Sequence, residues 1–132
     1  MIASDVIPTI EAVRARHPML AWYGFGPVRG DRIDFRLHRA AMTESWQVEQ
    51  FLRAVEWLEQ AKRTRIISRR RTSYGWKHVA ERWHARRSPG RDPYIADGMF
   101  IAAAIHLGFL LRPLRNGTSV WLNIAAVADD CH

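Results

Sequence analysis

The chain has 132 residues, 48% hydrophobic and 25% charged, with a formal net charge of +7. These proportions fit one soluble globular domain and exclude a disordered chain. The single cysteine, Cys131, excludes an internal disulfide framework, and the longest apolar run, Met99 to Ile105, falls far short of the roughly 20 residues a membrane span needs.

Met1 to Thr9 has neither a basic start nor a long apolar run, so no signal peptide is expected and a cytoplasmic protein is the reading. Ser4 or Asp5 can cap a first helix running to about Arg16, with Ile7, Ile10 and Val13 on one face. Met19 to Phe25 reads as a strand, followed by a loop marked by Gly24, Gly26, Pro27 and Gly30. Arg32 to His38 alternates, with Ile33, Phe35 and Leu37 to one side, and reads as a half-buried antiparallel strand. Thr43 can cap a second helix whose stripe is Val48, Phe51, Leu52, Val55 and Leu58, ending near Lys62 to Arg65. Glu49–Arg53 and Glu59–Arg63 are spaced for helical ion pairs. Ile66 and Ile67 suit a short strand or a loop anchor.

Thr72 or Ser73 opens a third helix to about Ala85. Trp76, Val79, Ala80 and Trp83 span roughly 100° of arc as its buried face. Lys77, His78, Glu81, Arg82 and His84 are left on the wet side. The loop Arg86 to Arg91 is basic. A fourth helix starts at Asp92–Pro93 or Asp97. It is apolar nearly all round from Met99 to Leu107, so it is central to the core, and Gly108 stops it. Phe109 to Arg115 and Thr118 to Ile124 flank Asn116–Gly117, the signal of a hairpin whose two turn residues take positive φ. Pro113 places its strand at a sheet edge. Ala125 to His132 reads as a loose tail. The sum is a single α+β domain of about four helices and two hairpins. Its final helix–helix–hairpin part is compatible with a winged-helix-like arrangement.

The charge is uneven. Lys62 to Arg91 holds eleven basic residues against one acid, Glu81, a window of +10 in a chain that is otherwise −3. Such asymmetry points to a polyanionic partner, DNA or RNA. Arg69, Arg70 and Arg71 feed into Thr72 and Ser73, and arginine forks beside a helix start suit phosphate oxygens. Lys77, His78 and Arg82 continue the basic face, with Tyr74 placed to stack on a base. Arg112 and Arg115 at the hairpin tip are a third contact. Each has a plainer reading, as solvated basic loop, wet helical face or charged edge. The buried fourth helix is a poor major-groove reader, because it presents almost no polar side chain.

Six histidines (His17, His38, His78, His84, His106 and His132) show no ligand spacing, so no metal or cofactor is expected, and His106 reads as a core histidine. Ser73, Tyr74, Lys77 and His78 gather nucleophile-like and basic groups without an accompanying acid, so no catalytic residue is assigned and an enzyme is not expected.

Ser73 to Arg82 (SYGWKHVAER) and Tyr94 to Phe109 (YIADGMFIAAAIHLGF) resemble small uncharacterised proteins of bacterial mobile elements: phages, plasmids and integrating elements. The resemblance spans about Arg65 to Ile124 and carries over no functional residue. It implies a bacterial cytosolic setting. It also brings in a rival role, an inhibitor or adaptor that docks its basic face on a host defence or nucleic-acid-handling complex.

Overall fold

The computed structural model describes residues 3–28 and 34–125. The chain order is α1 (Ala3–Arg16), β1 (Leu20–Ala21), β2 (Gly24–Phe25), α2 (Phe35–Ala40), a 3-10 turn (Ala41–Thr43), α3 (Ser45–Gln60), β3 (Arg63–Thr72), α4 (Ser73–Arg87), α5 (Asp97–His106), β4 (Leu111–Pro113) and β5 (Val120–Ile124). The fold is α+β, with five helices rather than four and two small antiparallel sheets among the described residues.

α5 occupies the centre, as its composition demands. Every residue from Asp97 to Ile105 is buried. α3, α1, α4 and the β1–β2 hairpin pack around it. The core of α3 comprises Phe51, Ala54, Val55, Trp57 and Leu58, with Gln47 and Gln50 also inside. That face is rotated from the expected stripe, for Leu52 is exposed and Val48 only half-buried. The reason is polar. Gln50 Oε1 accepts the Ala96 N–H at 2.8 Å, satisfying a backbone donor just before α5. The helix also starts later than expected, at Ser45, because Thr43 belongs to the 3-10 turn. It ends at Gln60, so Arg63 is a strand residue. Its guanidinium lies 4.0 Å from the Phe109 ring and donates to Leu107 O. Arg53 Nη2 donates to Tyr94 O at 2.7 Å.

Two expectations fail in the N-terminal half. Met19 to Phe25 is not one strand but a tight hairpin, Leu20 pairing with Phe25 and Ala21 with Gly24. Phe35 to His38 is helical, while Arg32 and Ile33 lie outside the described residues. Its alternation is overridden by tertiary contacts. Arg39, at the end of α2, donates to Leu20 O (2.9 Å), Arg14 O (2.6 Å) and His17 O (3.2 Å), tying α1 and β1 to α2. Burial and the nearby Arg14 charge lower the Arg39 pKa.

The three-stranded sheet has the order β3-β5-β4, with β5 antiparallel to both neighbours. Leu111 pairs with Leu122, Arg112 with Trp121 and Pro113 with Val120, so β4 is an edge strand as Pro113 requires. The hairpin turn differs from expectation. Only Gly117 has positive φ, and the loop runs from Leu114 to Ser119, closed by Leu114 N–H to Ser119 O at 3.1 Å. β3 is longer than anticipated and absorbs the arginine run. Arg63 pairs with Ile124, Ser68 with Leu122 and Thr72 with Trp121, with register breaks between. Arg69 to Arg71 therefore sit in the second break rather than in a loop. Gly108 has φ +83° and follows α5 as expected. His106 is exposed rather than in the core, tilted beside Phe51 at 6.0 Å. Most of the expected loose tail (126–132) lies outside the described residues, and so does His132. No helix among the described residues is long and apolar enough to cross a membrane.

Candidate nucleic-acid interface

β3 and β4 flank β5 at about 4.8 Å each, so side chains from the two edge strands stand roughly 10 Å apart across the sheet. Arg69 from β3, Arg112 from β4 and Arg115 from the loop line one open groove of about 770 Å³. Pro113, Leu114, Asn116 and Trp121 complete it, and no acidic residue lines it among the described residues. Trp121 is half-buried and lies directly opposite Arg112 in the ladder. Paired residues in an antiparallel ladder point to the same face, so the indole and the guanidinium share a surface. Arg70 is exposed but does not line the groove, its N–H held by Ser68 Oγ at 3.2 Å.

The other expected contact residues are elsewhere. Arg71 folds back over α4, 5.3 Å from the Trp76 ring, and its chain touches the space above Gly75. Thr72 has extended backbone at the N-cap of α4 and makes no side-chain cap bond. Ser73 is fully buried, and its Oγ accepts the Val120 N–H at 3.0 Å, locking α4 to β5. Arg82 is half-buried, and its Nε has no hydrogen-bond partner among the described residues.

The wet face expected on α4 is largely not wet. Lys77 is only 3% exposed, although its neighbours Tyr74 and His78 are more open. Burying an ammonium demands compensation. Glu81, one turn later, supplies it: Oε2 accepts Lys77 Nζ at 3.0 Å and the Ile95 N–H at 3.0 Å. Oε1 lies 2.7 Å from His78 Nδ1. His84 is also buried, its Nε2 2.8 Å from Arg53 O. Trp83, expected in the core, is only partly covered and carries Arg87 over its ring at 4.3 Å.

Near this cluster lies Asp97, 6% exposed at the start of α5. Its Oδ2 accepts Ser119 Oγ at 2.6 Å, and its Oδ1 is sealed from the surface. Burial raises the Asp97 pKa, against opposing hydrogen bonds from Ser119 and Ser73 and the charges of Lys77 and His78. Trp22, Tyr23, Tyr74, Tyr94 and Thr118 line an open cavity of about 330 Å³ beside these groups. No three His, Cys, Asp or Glu side chains among the described residues gather as a metal site.

The structure thus divides the expected site into two. Arg69, Arg112 and Arg115 meet in the sheet groove, whereas Tyr74, Lys77 and His78 meet in the cavity. Glu81, Asp97, Tyr94, Trp22 and Trp121 were not singled out from the sequence as site residues. Glu81 carried a signal: it is the one acid in the basic window and lies at helical spacing from Lys77 and His78. Asp97 carried none beyond its position at a helix start.

No family model matches the sequence, and no curated protein or solved structure matches it.

Proposed function

We propose that this protein is a nucleic-acid-binding module that holds phosphates across the β3-β5-β4 surface. The observation that carries the proposal is the groove where Arg69, Arg112 and Arg115 converge beside Trp121, with no acid among the described residues that line it. Arginine forks bind phosphate oxygens in pairs, and an indole between them offers a stacking face for a base. The order of α3, β3, α4, α5, β4 and β5, with the first strand beside the last, supports a winged-helix-like reading. In that arrangement α5 would be the reading helix. Its burial on every side directs the contact to the sheet and the β4–β5 loop instead. A bacterial cytosolic setting, drawn from the resemblance, belongs to the same proposal.

The test is binding to DNA and RNA, single- and double-stranded, across a salt series. Log affinity should fall linearly with log salt. Replacing Arg69, Arg112 and Arg115 together with glutamine should reduce that slope by about 2 on single strands, three contacts at about 0.7 each. Absence of salt-dependent binding at low ionic strength overturns the reading. A host protein retained by the chain after nuclease treatment, and released by the same triple variant, would favour the inhibitor or adaptor role.

A further inference from the structure

A second hollow adjoins the sheet groove, and Pro113 and Leu114 line both. Its opposite wall is Arg16, His17 and Met19, at and just past the end of α1, with Phe25 of β2. The hollow is open and has a volume of about 420 Å³, within the roughly 300–1,000 Å³ of small-ligand pockets. Hydrogen bonds fix its walls. His17 O accepts the Leu20 N–H at 3.0 Å and Arg39 Nη2 at 3.2 Å. Met19 O accepts the Gly26 N–H at 2.8 Å, and Thr118 O accepts the Phe25 N–H at 2.8 Å. The β1–β2 hairpin is thereby tied to the β4–β5 loop, and the space between them is preorganised.

The lining limits what can enter. No acidic residue lines the hollow among the described residues, so a cation finds no counter-charge there. Met19, Phe25, Pro113 and Leu114 make much of the wall apolar. A small free anion would lose hydration for a single guanidinium, that of Arg16. His17 adds a ring rather than a charge at neutral pH, because burial and the Arg16 charge lower its pKa. Its imidazole lies tilted 6.2 Å from the Phe25 ring. These surfaces are open to a ligand: Met19 is 50% exposed, and His17 and Phe25 are half-buried. An uncharged flat group carried on an anionic chain meets all of these demands. Arg16 stands at the hollow, and Arg69, Arg112 and Arg115 stand in the adjoining groove. A nucleobase on a phosphate backbone has that form. An apolar peptide or acyl chain could fill the hollow but would bring nothing to the four guanidiniums.

We infer that this hollow receives one unpaired base of a single-stranded nucleic acid, its ring against Phe25 and Met19, while neighbouring phosphates lie in the arginine groove. The inference rests on the phosphate-groove reading and adds the form of the ligand. A base in a duplex would first have to be extruded, which costs unstacking and unpairing energy. A single strand bears no such cost, and Trp121 in the groove can take another of its bases. Ring contact of this kind tolerates every base, so the hollow selects strand form rather than sequence.

The test uses the full chain. Irradiation with a single-stranded oligomer of 5-iodouridine, whose base couples to an adjacent aromatic ring, should give adducts at Phe25 or His17, located by fragment mass spectrometry. Adducts confined to Trp121 or to other residues overturn the inference. Oligothymidine should bind at least about 5-fold more tightly than an abasic oligomer of the same length and charge, the lower end for one stacked base. It should also bind more tightly than the same strand paired in a duplex. Phe25→Leu keeps an apolar side chain but removes the ring. It should weaken oligothymidine binding by about 5-fold or more and leave abasic binding and the salt slope unchanged. Unchanged oligothymidine affinity in that variant overturns the inference. If the variant does not fold, the adducts on the parent chain decide. An abasic strand bound as tightly as oligothymidine, or a duplex bound as tightly as the single strand, removes the base site and leaves the groove standing. If no oligomer binds, the groove reading fails and the base site falls with it.

Discussion

Gly98 is the point where the β1–β2 hairpin presses onto the central helix. A Cβ built there would lie 1.9 Å from Ala21 O and 2.5 Å from both the carbonyl carbon and oxygen of Trp22. Ordinary contact begins near 3.4 Å, so Gly98→Ala forces the hairpin back by more than 1 Å. The obstacle is backbone, which cannot rotate aside. Leu20 and Ala21, both fully buried, would lift off the core with it. Overpacking of this kind costs about 3 kcal/mol or more. Unfolding entropy near 2.1 cal/mol/K per residue gives about 0.28 kcal/mol/K for this chain, so Tm should fall by about 11 °C. Gly90→Ala is the control. Gly90 has φ +88° and nothing within 4 Å, so alanine there meets only backbone strain of about 1 kcal/mol, or about 4 °C. Differential scanning calorimetry measures both. A Gly98→Ala protein melting within 2 °C of the parent would refute the close seating of the hairpin on α5.

Lys77→Met should destabilise by about 3 kcal/mol, because it strands the Glu81 carboxylate in a nearly closed site. Adding Glu81→Gln should recover part of that loss, and a urea double-mutant cycle measures the coupling; strictly additive effects would disprove it. Asp97 holds its proton more tightly when folded than when unfolded. Its contribution to stability is therefore full below the ordinary carboxyl value and is lost as pH rises through the raised one. Asp97→Asn should accordingly gain stability relative to the parent as pH rises above the ordinary carboxyl value; urea midpoints that keep a constant difference would contradict this. Arg39→Lys keeps the charge but cannot span three carbonyls. It should cost about 2 kcal/mol by chemical denaturation, and a loss below 0.5 kcal/mol would show the fork to be unimportant.

The elements legible in the sequence were those whose signal is local and strong. The apolar run from Met99 to Ile105 announced a central helix, and Trp76, Val79 and Ala80 announced the inner face of α4. Pro113 announced an edge strand. What was not legible depends on partners far along the chain. Arg32 to His38 alternates like a strand, yet residues from Phe35 onward are helical, and Arg39 is gripped by carbonyls of α1 and β1. Lys77 looked solvated because nothing local indicated that Tyr94, Ile95 and Asp97 would close over it. The arginine run kept its exposure at Arg69 and Arg70 but lost Arg71 to Trp76. The partners of Arg69 in the groove, Arg112 and Arg115, come from more than forty residues downstream.

The central place of α5 also sets a schedule for synthesis. α1 and α3 are complete once Gln60 has been made, but the surface they bury belongs to residues 97–106. A ribosome adds about 5–20 residues per second, so those apolar faces wait roughly 2–9 s for their counterpart. The amino-terminal half cannot close early on a core that is still to be translated. In a growing chain it is a natural client for chaperones until the last third emerges.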